Sequence, residues 1–313
     1  MGSRSDVSML HANYNLKKIL TKRKQAEGVL NFEFPETKIE LDENDHPIKF
    51  GKYERYNSHK IIEEFMVLAN EAVSRQFAKK PFLYRIHVKP SEADLAKLVA
   101  TLQSFDIELS PIWVDTKTFA EILDDVQGKN SEKFLQKALL RSLSKAIYSE
   151  KALGHFWLWL GYYSHFTSPI RRYPDLQIHR IIKQSLAGKL SKEKELYYKE
   201  LLPGVAIHSS EKEKASENIE YKVRDLMSVK YMSDKIGKKF EATISGIIQK
   251  WFFVELDNTI EWFVQTDSNW DFDEELLVLE NYQTEKKYTI WDMVQVELES
   301  VDSSRLRINF DLV

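Results

Sequence analysis

The chain has 313 residues, a formal net charge of −3, 43% hydrophobic and 12% aromatic residues, a composition that suits two packed globular domains. No stretch approaches the roughly 18 consecutive apolar residues that a membrane-spanning helix needs, and Met1-Gly2-Ser3-Arg4-Ser5 lacks the apolar core of a signal peptide. The absence of cysteine excludes disulfides, thiolate metal sites and a cysteine nucleophile, and fits a cytoplasmic protein without a membrane partner.

In chain order, residues 14 to 30 read as a helix ending near Gly28, with Lys17, Lys18, Lys22, Arg23 and Lys24 on its exposed face. Residues 31 to 50 alternate as strands do, with Phe32, Phe34, Ile39 and Leu41 interleaved with polar residues and a turn at Asp42 to Asp45. Residues 59 to 79 form an apolar helix that buries Ile61, Ile62, Phe65, Met66, Leu68 and Ala69, with Ser58 as its N-cap. A strand at Leu83 to His87 follows, then a helix capped by Ser91 that repeats Ala93, Leu95, Leu98 and Leu102 at helical spacing. Further helices are expected at 131 to 148, 171 to 187, 191 to 200 and 206 to 235.

Beyond Gly237 the pattern changes. Lys239 to Ile247, Phe252 to Leu256, Glu261 to Gln265, Met293 to Val301 and Arg305 to Asp311 read as five short strands, the signature of a small closed barrel of the OB type. The domain boundary is therefore placed at residue 237, giving segments 1–237 and 238–313. Charge divides at nearly the same point. Residues 239–313 carry 16 acidic and 6 basic side chains, whereas the remainder carries 32 acidic and 39 basic ones. A mildly basic body suits a phosphate backbone; the acidic barrel would be repelled by one unless its charges face away.

The densest chemistry lies at His165-Phe166-Thr167-Ser168-Pro169-Ile170-Arg171-Arg172-Tyr173-Pro174-Asp175. Thr167 and Ser168 offer hydroxyls, and Pro169 bars a helix before it. Arg171 and Arg172 then open the next helix with planar donor forks matched to phosphate oxygens. On that helix they point about 100° apart, so one can face a cleft while the other pins a carboxylate. Asp175 stands four residues after Arg171, which predicts an i,i+4 pair between them.

With Leu176, His179 and Arg180, this string resembles the hallmark of the RNB exoribonucleases, the ribonuclease II and ribonuclease R family, and is closer to the ribonuclease R type. The likeness includes Gly28 to Phe32 with Pro35-Glu36, His59 to Asn70, Pro81 to His87, Leu140-Arg141-Ser142, Gly154-His155-Phe156, and Ser209 to Val223. It implies an α+β fold: the C-terminal portion of an RNB catalytic domain, helix-rich with a mixed sheet, followed by a five-stranded OB-fold RNA-binding barrel. It also implies processive 3′-to-5′ hydrolysis of single-stranded RNA to nucleoside monophosphates. By resemblance Arg171 contacts the scissile phosphate, Glu63 positions the terminal nucleotide, and Phe32 stacks on terminal bases. Asn70, Tyr84, Ser168, Arg172 and Glu220 line the RNA path. Without the resemblance, Glu63 reads as an exposed helix carboxylate, Phe32 as core and Asn70 as a helix C-cap. His165 and His179 read as structural hydrogen-bonding groups in either case.

The resemblance also implies Mg²⁺, held by a compact aspartate cluster near the start of the catalytic domain. That cluster has no counterpart here, since Asp124-Asp125 lies well after the central helix and Asp42 and Asp45 belong to a turn. The isolated chain is therefore expected to be inactive, with RNA as a partner and, in a split enzyme, a separate chain bearing the missing half. A non-catalytic RNA-binding module is the competing reading. The barrel departs from its pattern at Trp251-Phe252, Gln265 and Trp291, while Trp251, Phe252, Phe253, Trp262 and Phe263 are candidates for a stacking platform.

Overall fold

A computed structural model describes residues 4–30, 32, 36–109, 115–129, 132–248, 251–266, 269–273 and 278–313. The expectations for Asn31, Phe34 and Pro35 lie outside the described residues.

Helix α1 (Arg4–Glu27) ends where the sequence predicts. The Gly28 N–H bonds to the Gln25 carbonyl at 3.1 Å and the Val29 N–H to the Lys24 carbonyl at 3.0 Å, closing the last turn. Gly28 adopts φ +80°, and a Cβ there would lie 2.6 Å from Lys117 Cγ. Both the backbone conformation and the close approach require glycine.

Strands β1 (Thr37–Leu41) and β2 (Pro47–Lys52) form an antiparallel hairpin. Asp42 Oδ1 closes its turn by accepting from the Asn44 and His46 N–H groups at 2.8 and 2.9 Å. Helix α2 (Asn57–Gln76) begins earlier than expected, so Ser58 lies inside it and Tyr56 is the cap. Ile61 is buried as predicted, but Ile62 and Leu68 are 60% and 40% exposed. The apolar run of α2 is wider than the face its neighbours cover.

Strand β3 (Tyr84–Ile86) leads to α3 (Glu92–Gln103), where Ser91 Oγ accepts the Asp94 N–H at 3.1 Å and caps the helix as predicted. Helix α4 (Thr116–Val126) was not singled out from sequence, although Phe119, Ile122, Leu123 and Val126 fall on one buried face. Helix α5 (Glu132–Ser142) stops short of the expected 148. The chain turns there into β4 (Ile147–Ser149), which pairs antiparallel with β3, Arg85 opposite Tyr148. The β-branched and aromatic pair Ile147-Tyr148 suits that pleated edge better than a helix.

Helix α6 (Tyr173–Leu186) is followed by a single 41-residue helix α7 (Lys192–Met232), where two helices were expected. Pro203 lies within it and removes one backbone bond, a cost of about 3 kcal/mol or more. Tyr198, Leu202 and Ala206 flank the proline and are buried against β3, β4 and α6. Burial contributes roughly 1.5–3 kcal/mol for each large side chain, enough to offset the proline and keep the helix continuous.

Strands β5 (Lys239–Ile248), β6 (Trp251–Leu256) and β7 (Glu261–Gln265) follow. Next come β8 (Trp270–Asp273), β9 (Val278–Asn281) and β10 (Lys287–Thr289), then β11 (Met293–Asp302) and β12 (Arg307–Leu312). Five of them close a barrel in the order β5-β6-β7-β12-β11, with β11 returning to β5; β7 and β12 run parallel and the other neighbours antiparallel. Between β7 and β11, where no strand is expected from the sequence, the described residues include the three-stranded antiparallel sheet β8-β9-β10. Trp270 stacks on Tyr288 across it at 5.4 Å, and both pack against the barrel core with Phe272. That core also takes in Phe50 from β2 and Val229 and Met232 from α7. A second core joins α3, α4 and α5 to Leu30, Phe32 and Phe156.

Candidate functional site

The string from His165 to Asp175 is held from three sides. From β3, the Arg85 N–H bonds to the Tyr163 carbonyl at 2.8 Å, and the Ser164 hydroxyl donates to the Leu83 carbonyl at 2.7 Å. From α2, Asn70 donates through Nδ2 to the Tyr163 hydroxyl at 3.1 Å and accepts the Phe166 N–H at 2.9 Å. From α6, His179 Nε2 meets the Phe166 carbonyl at 2.9 Å while its ring stacks on Phe166 at 4.3 Å. Asn70 is thus no C-cap: it is mid-helix, 3% exposed, and joins α2 to the string that carries Arg171 and Arg172.

The predicted Arg171–Asp175 pair is replaced by a bond to the neighbouring arginine. Asp175 is wholly buried and accepts from Arg172 Nε at 2.9 Å and Arg172 Nη2 at 2.7 Å. Its Oδ1 also accepts the Ser168 N–H at 2.8 Å. The cause is a shift in the helix start: α6 begins at Tyr173, so Arg172 is an extended N-cap whose side chain turns back on the first turn. The Ser168 carbonyl accepts from the Arg171 and Arg172 N–H groups at 3.3 and 3.0 Å. Arg171 is left exposed, and its guanidinium makes no hydrogen bond or ion pair among the described residues.

Two depressions border this turn and a third adjoins one of them. The first is lined by Phe32, Lys17, Lys24, Arg55, Lys60 and Trp157, together with Glu63 and Glu64. The second contains Glu63, Asn70, Tyr163 and Arg172; the third contains Arg172, Arg171, Tyr173, His208, Lys212 and Glu220. Neighbouring depressions share wall residues, Glu63 and Val67 between the first and second and Arg172 between the second and third, and this series, here called the trough, is lined by Phe32, Glu63, Asn70, Arg171, Arg172 and Glu220. Ser168 shapes the turn beneath it. Tyr84 is not on the trough: it is 4% exposed in the core, and burial, followed by the nearby Tyr162, pushes its phenol up to about 12. Phe32 is only 9% exposed, so it is a core residue with one edge at the trough.

Charge within the trough is partly neutralised. Glu63 pairs with Arg55, and Glu64 pairs with Lys24 at 2.5 Å. Among the described residues, no group of three or more histidines, aspartates or glutamates is placed to hold a metal ion. The described residues therefore do not fit the Mg²⁺ site that the family resemblance implies, and Asp124 and Asp125 lie exposed on α4.

Under the string lies a buried aromatic and imidazole cluster. His165 Nδ1 meets the Tyr148 hydroxyl at 2.9 Å, and Arg85 lies over the Tyr148 ring at 4.7 Å while pairing with Glu213 at 2.5 Å. The Tyr148 N–H donates to Ser210 Oγ at 3.0 Å, tying β4 to α7. His155 stacks on His87 at 5.2 Å. Burial, reinforced by nearby Arg172 and Arg85, lowers His165 to about 2, and burial beside His87 lowers His155 to about 3. His165 and His179 are structural hydrogen-bonding groups here, the reading given to those two from the sequence. Trp157 and the Arg85–Glu213 pair were not singled out there, because neither follows a periodic pattern.

On the barrel the expected five-ring platform divides between faces. Phe252 points into the core and Trp262 packs against it, whereas Trp251, Phe253 and Phe263 lie on the outer side, with Trp251 and Phe263 4.8 Å apart.

Comparison with known proteins gives this architecture a class. Residues 3–188 match the RNB domain model. The chain is 35% identical to ribonuclease R of Aquifex aeolicus, across 98% of this chain and 44% of that protein. It is 33% identical to ribonuclease R of Escherichia coli, across 98% of this chain and 40% of that one. The structure of Mycoplasma genitalium RNase R in complex with ribose-methylated single-stranded RNA superposes with a TM-score of 0.91 at 29% identity, covering 99% of this chain and 50% of that one. Yeast Ssd1, described as a pseudonuclease, shares the fold with a TM-score of 0.53 at 20% identity, over 72% of this chain and 29% of that one. The chain belongs to the RNB family. It spans about half the length, or less, of the ribonuclease R relatives it matches.

Proposed function

We propose that the chain is the RNA-gripping, phosphate-handling portion of a ribonuclease R-type enzyme that processively degrades single-stranded RNA from its 3′ end, releasing nucleoside monophosphates. The observation that carries this reading is the division of labour at Arg171-Arg172. Asp175 consumes Arg172 and so fixes the turn that presents the unpaired Arg171 to the trough. A preplaced guanidinium of that kind can accept a phosphodiester and stabilise charge developing on it. Glu63 would orient the terminal nucleotide, while Asn70 acts by holding the string. Residues 238–313 would serve as an RNA-binding barrel of the OB type, with Trp251, Phe253 and Phe263 as its stacking face.

Mg²⁺ belongs to the complete enzyme in this reading and would supply activated water and charge neutralisation. The described residues provide no cage for it, so the isolated chain is proposed to bind RNA without cleaving it. The same observation favours a second reading, in which the chain is a non-catalytic RNA-binding module or completes its site with a separate aspartate-bearing chain.

The test incubates the pure chain with a 5′-labelled single-stranded RNA and Mg²⁺ and resolves the products. Binding without cleavage, and stepwise shortening after addition of a separate aspartate-bearing polypeptide, is the expected result. Stepwise shortening by the pure chain would overturn the inactivity. Failure to bind single-stranded RNA at low salt would overturn the RNA reading as a whole.

A further inference from the structure

We infer that Trp157 is the aromatic wall of the trough, on which a terminal RNA base stacks; this rests on the RNA-binding reading above. Phe32 is 9% exposed and embedded in the second core, so it has little ring face left to offer. Trp157 is only partly buried and lines the same depression. The two rings meet at 5.1 Å with planes 80° apart, so Trp157 turns a differently oriented aromatic surface to the trough.

The indole is held in place before any ligand arrives. Its Nε1–H donates to the Leu30 carbonyl at 2.8 Å, and the Leu30 N–H donates to the Trp157 carbonyl at 3.3 Å. The turn carrying it is closed by the His155 N–H on the Leu160 carbonyl at 2.7 Å and the reciprocal bond at 3.2 Å. Trp159 in that turn takes φ +51°, a left-handed conformation uncommon for a bulky residue. A rigid aromatic loses little side-chain entropy when a ligand packs on it.

The chemistry of the wall defines what it recognises. With its single N–H spent on Leu30, the indole can offer a ligand only its π surface. Such a surface accepts any base, because every base has a π face. Lys17 and Lys60 line the same depression and complement a phosphate attached to that base, while Lys24 and Arg55 are held on Glu64 and Glu63. Trp157 is therefore a sequence-tolerant binding residue for the terminal nucleotide of single-stranded RNA.

The test uses a single-stranded RNA ending at its 3′ side in 2-aminopurine, whose fluorescence falls when it stacks on an aromatic ring. The unaltered chain, W157A, W157F and W159A are titrated at low salt without divalent metal, and the melting of each is recorded. The unaltered chain, W157F and W159A are expected to bind and quench. W157A is expected to lose about tenfold in affinity together with the quench. Should W157A fold poorly, W157H supplies a folded ring of smaller area and an intermediate quench. Equal affinity and equal quench in the unaltered chain and W157A would overturn the inference alone, as would equal losses in W157A and W159A. Absence of binding by the unaltered chain would overturn the RNA reading and this inference with it.

Discussion

Asp175 and Arg172 form a bidentate ion pair, at 2.9 and 2.7 Å, in which the carboxylate is wholly buried and the arginine side chain 18% exposed. The same carboxylate accepts the Ser168 N–H at 2.8 Å. Removing it leaves a guanidinium and a backbone donor unsatisfied at once. Breaking a buried pair from one side costs about 3–5 kcal/mol. Asp175→Ala should therefore lose several kcal/mol in urea unfolding, and Asp175→Asn less, since one acceptor remains. A loss below about 1 kcal/mol in Asp175→Ala would contradict the role given to this pair.

The two adjacent arginines should respond in opposite ways. Arg171→Ala touches an exposed side chain with no partner among the described residues. Its stability should change by no more than about 0.5 kcal/mol, while its affinity for single-stranded RNA falls and the salt dependence of binding shallows by about one ion. Arg172→Ala strands a buried carboxylate and should destabilise by several kcal/mol. Unfolding curves and salt-titrated RNA binding on both variants separate the effects. Similar behaviour of the two variants would count against the assignment.

Asn70 links the central helix to the string that carries the arginines. Its Oδ1 accepts the Phe166 N–H at 2.9 Å in a partly buried bond, and its Nδ2 reaches the Tyr163 hydroxyl at 3.1 Å in a buried one. Asn70→Ala removes both and leaves a backbone N–H unpaired, a cost of about 1–3 kcal/mol. Tyr163→Phe removes only the second bond and should cost about 1 kcal/mol. Chemical denaturation of each variant checks the order; a larger loss from Tyr163→Phe would reverse the argument.

Where local pattern decides structure, it was legible in the chain. Ser91 caps α3, Gly28 ends α1, and the alternation along β5 to β7 closes the barrel. The string from His165 to Asp175 marked the family for the same reason, because its residues are consecutive. The pairing within it was misread because the i,i+4 rule presumes that both partners are already helical, whereas α6 begins after Arg172. The break expected between residues 200 and 206 does not occur, because burial of Tyr198, Leu202 and Ala206, which only the tertiary structure supplies, offsets the local cost of Pro203. Asn70 and Trp157 act through partners distant in sequence, at residues 163, 166 and 30. No periodicity announces such contacts.

The buried imidazoles make stability depend on pH. Burial first, then the neighbouring Arg172 and Arg85, holds His165 at about 2. Burial beside His87 holds His155 at about 3. In the unfolded chain both return to about 6.5. A folded value below the unfolded one means that the unfolded state takes up protons first as pH falls. The stabilising contribution is complete above about pH 6.5 and declines from there toward the folded values. Each histidine contributes up to about 1.4 kcal/mol per pH unit across that window. His165→Gln removes one such group, so its unfolding free energy should fall less steeply than that of the unaltered chain between pH 6 and pH 4. The difference in slope, rather than the stability at neutral pH, is the diagnostic, because carboxylates titrate alike in both proteins. Urea unfolding at several pH values provides the measurement, and parallel curves would show that His165 is not held neutral by the fold.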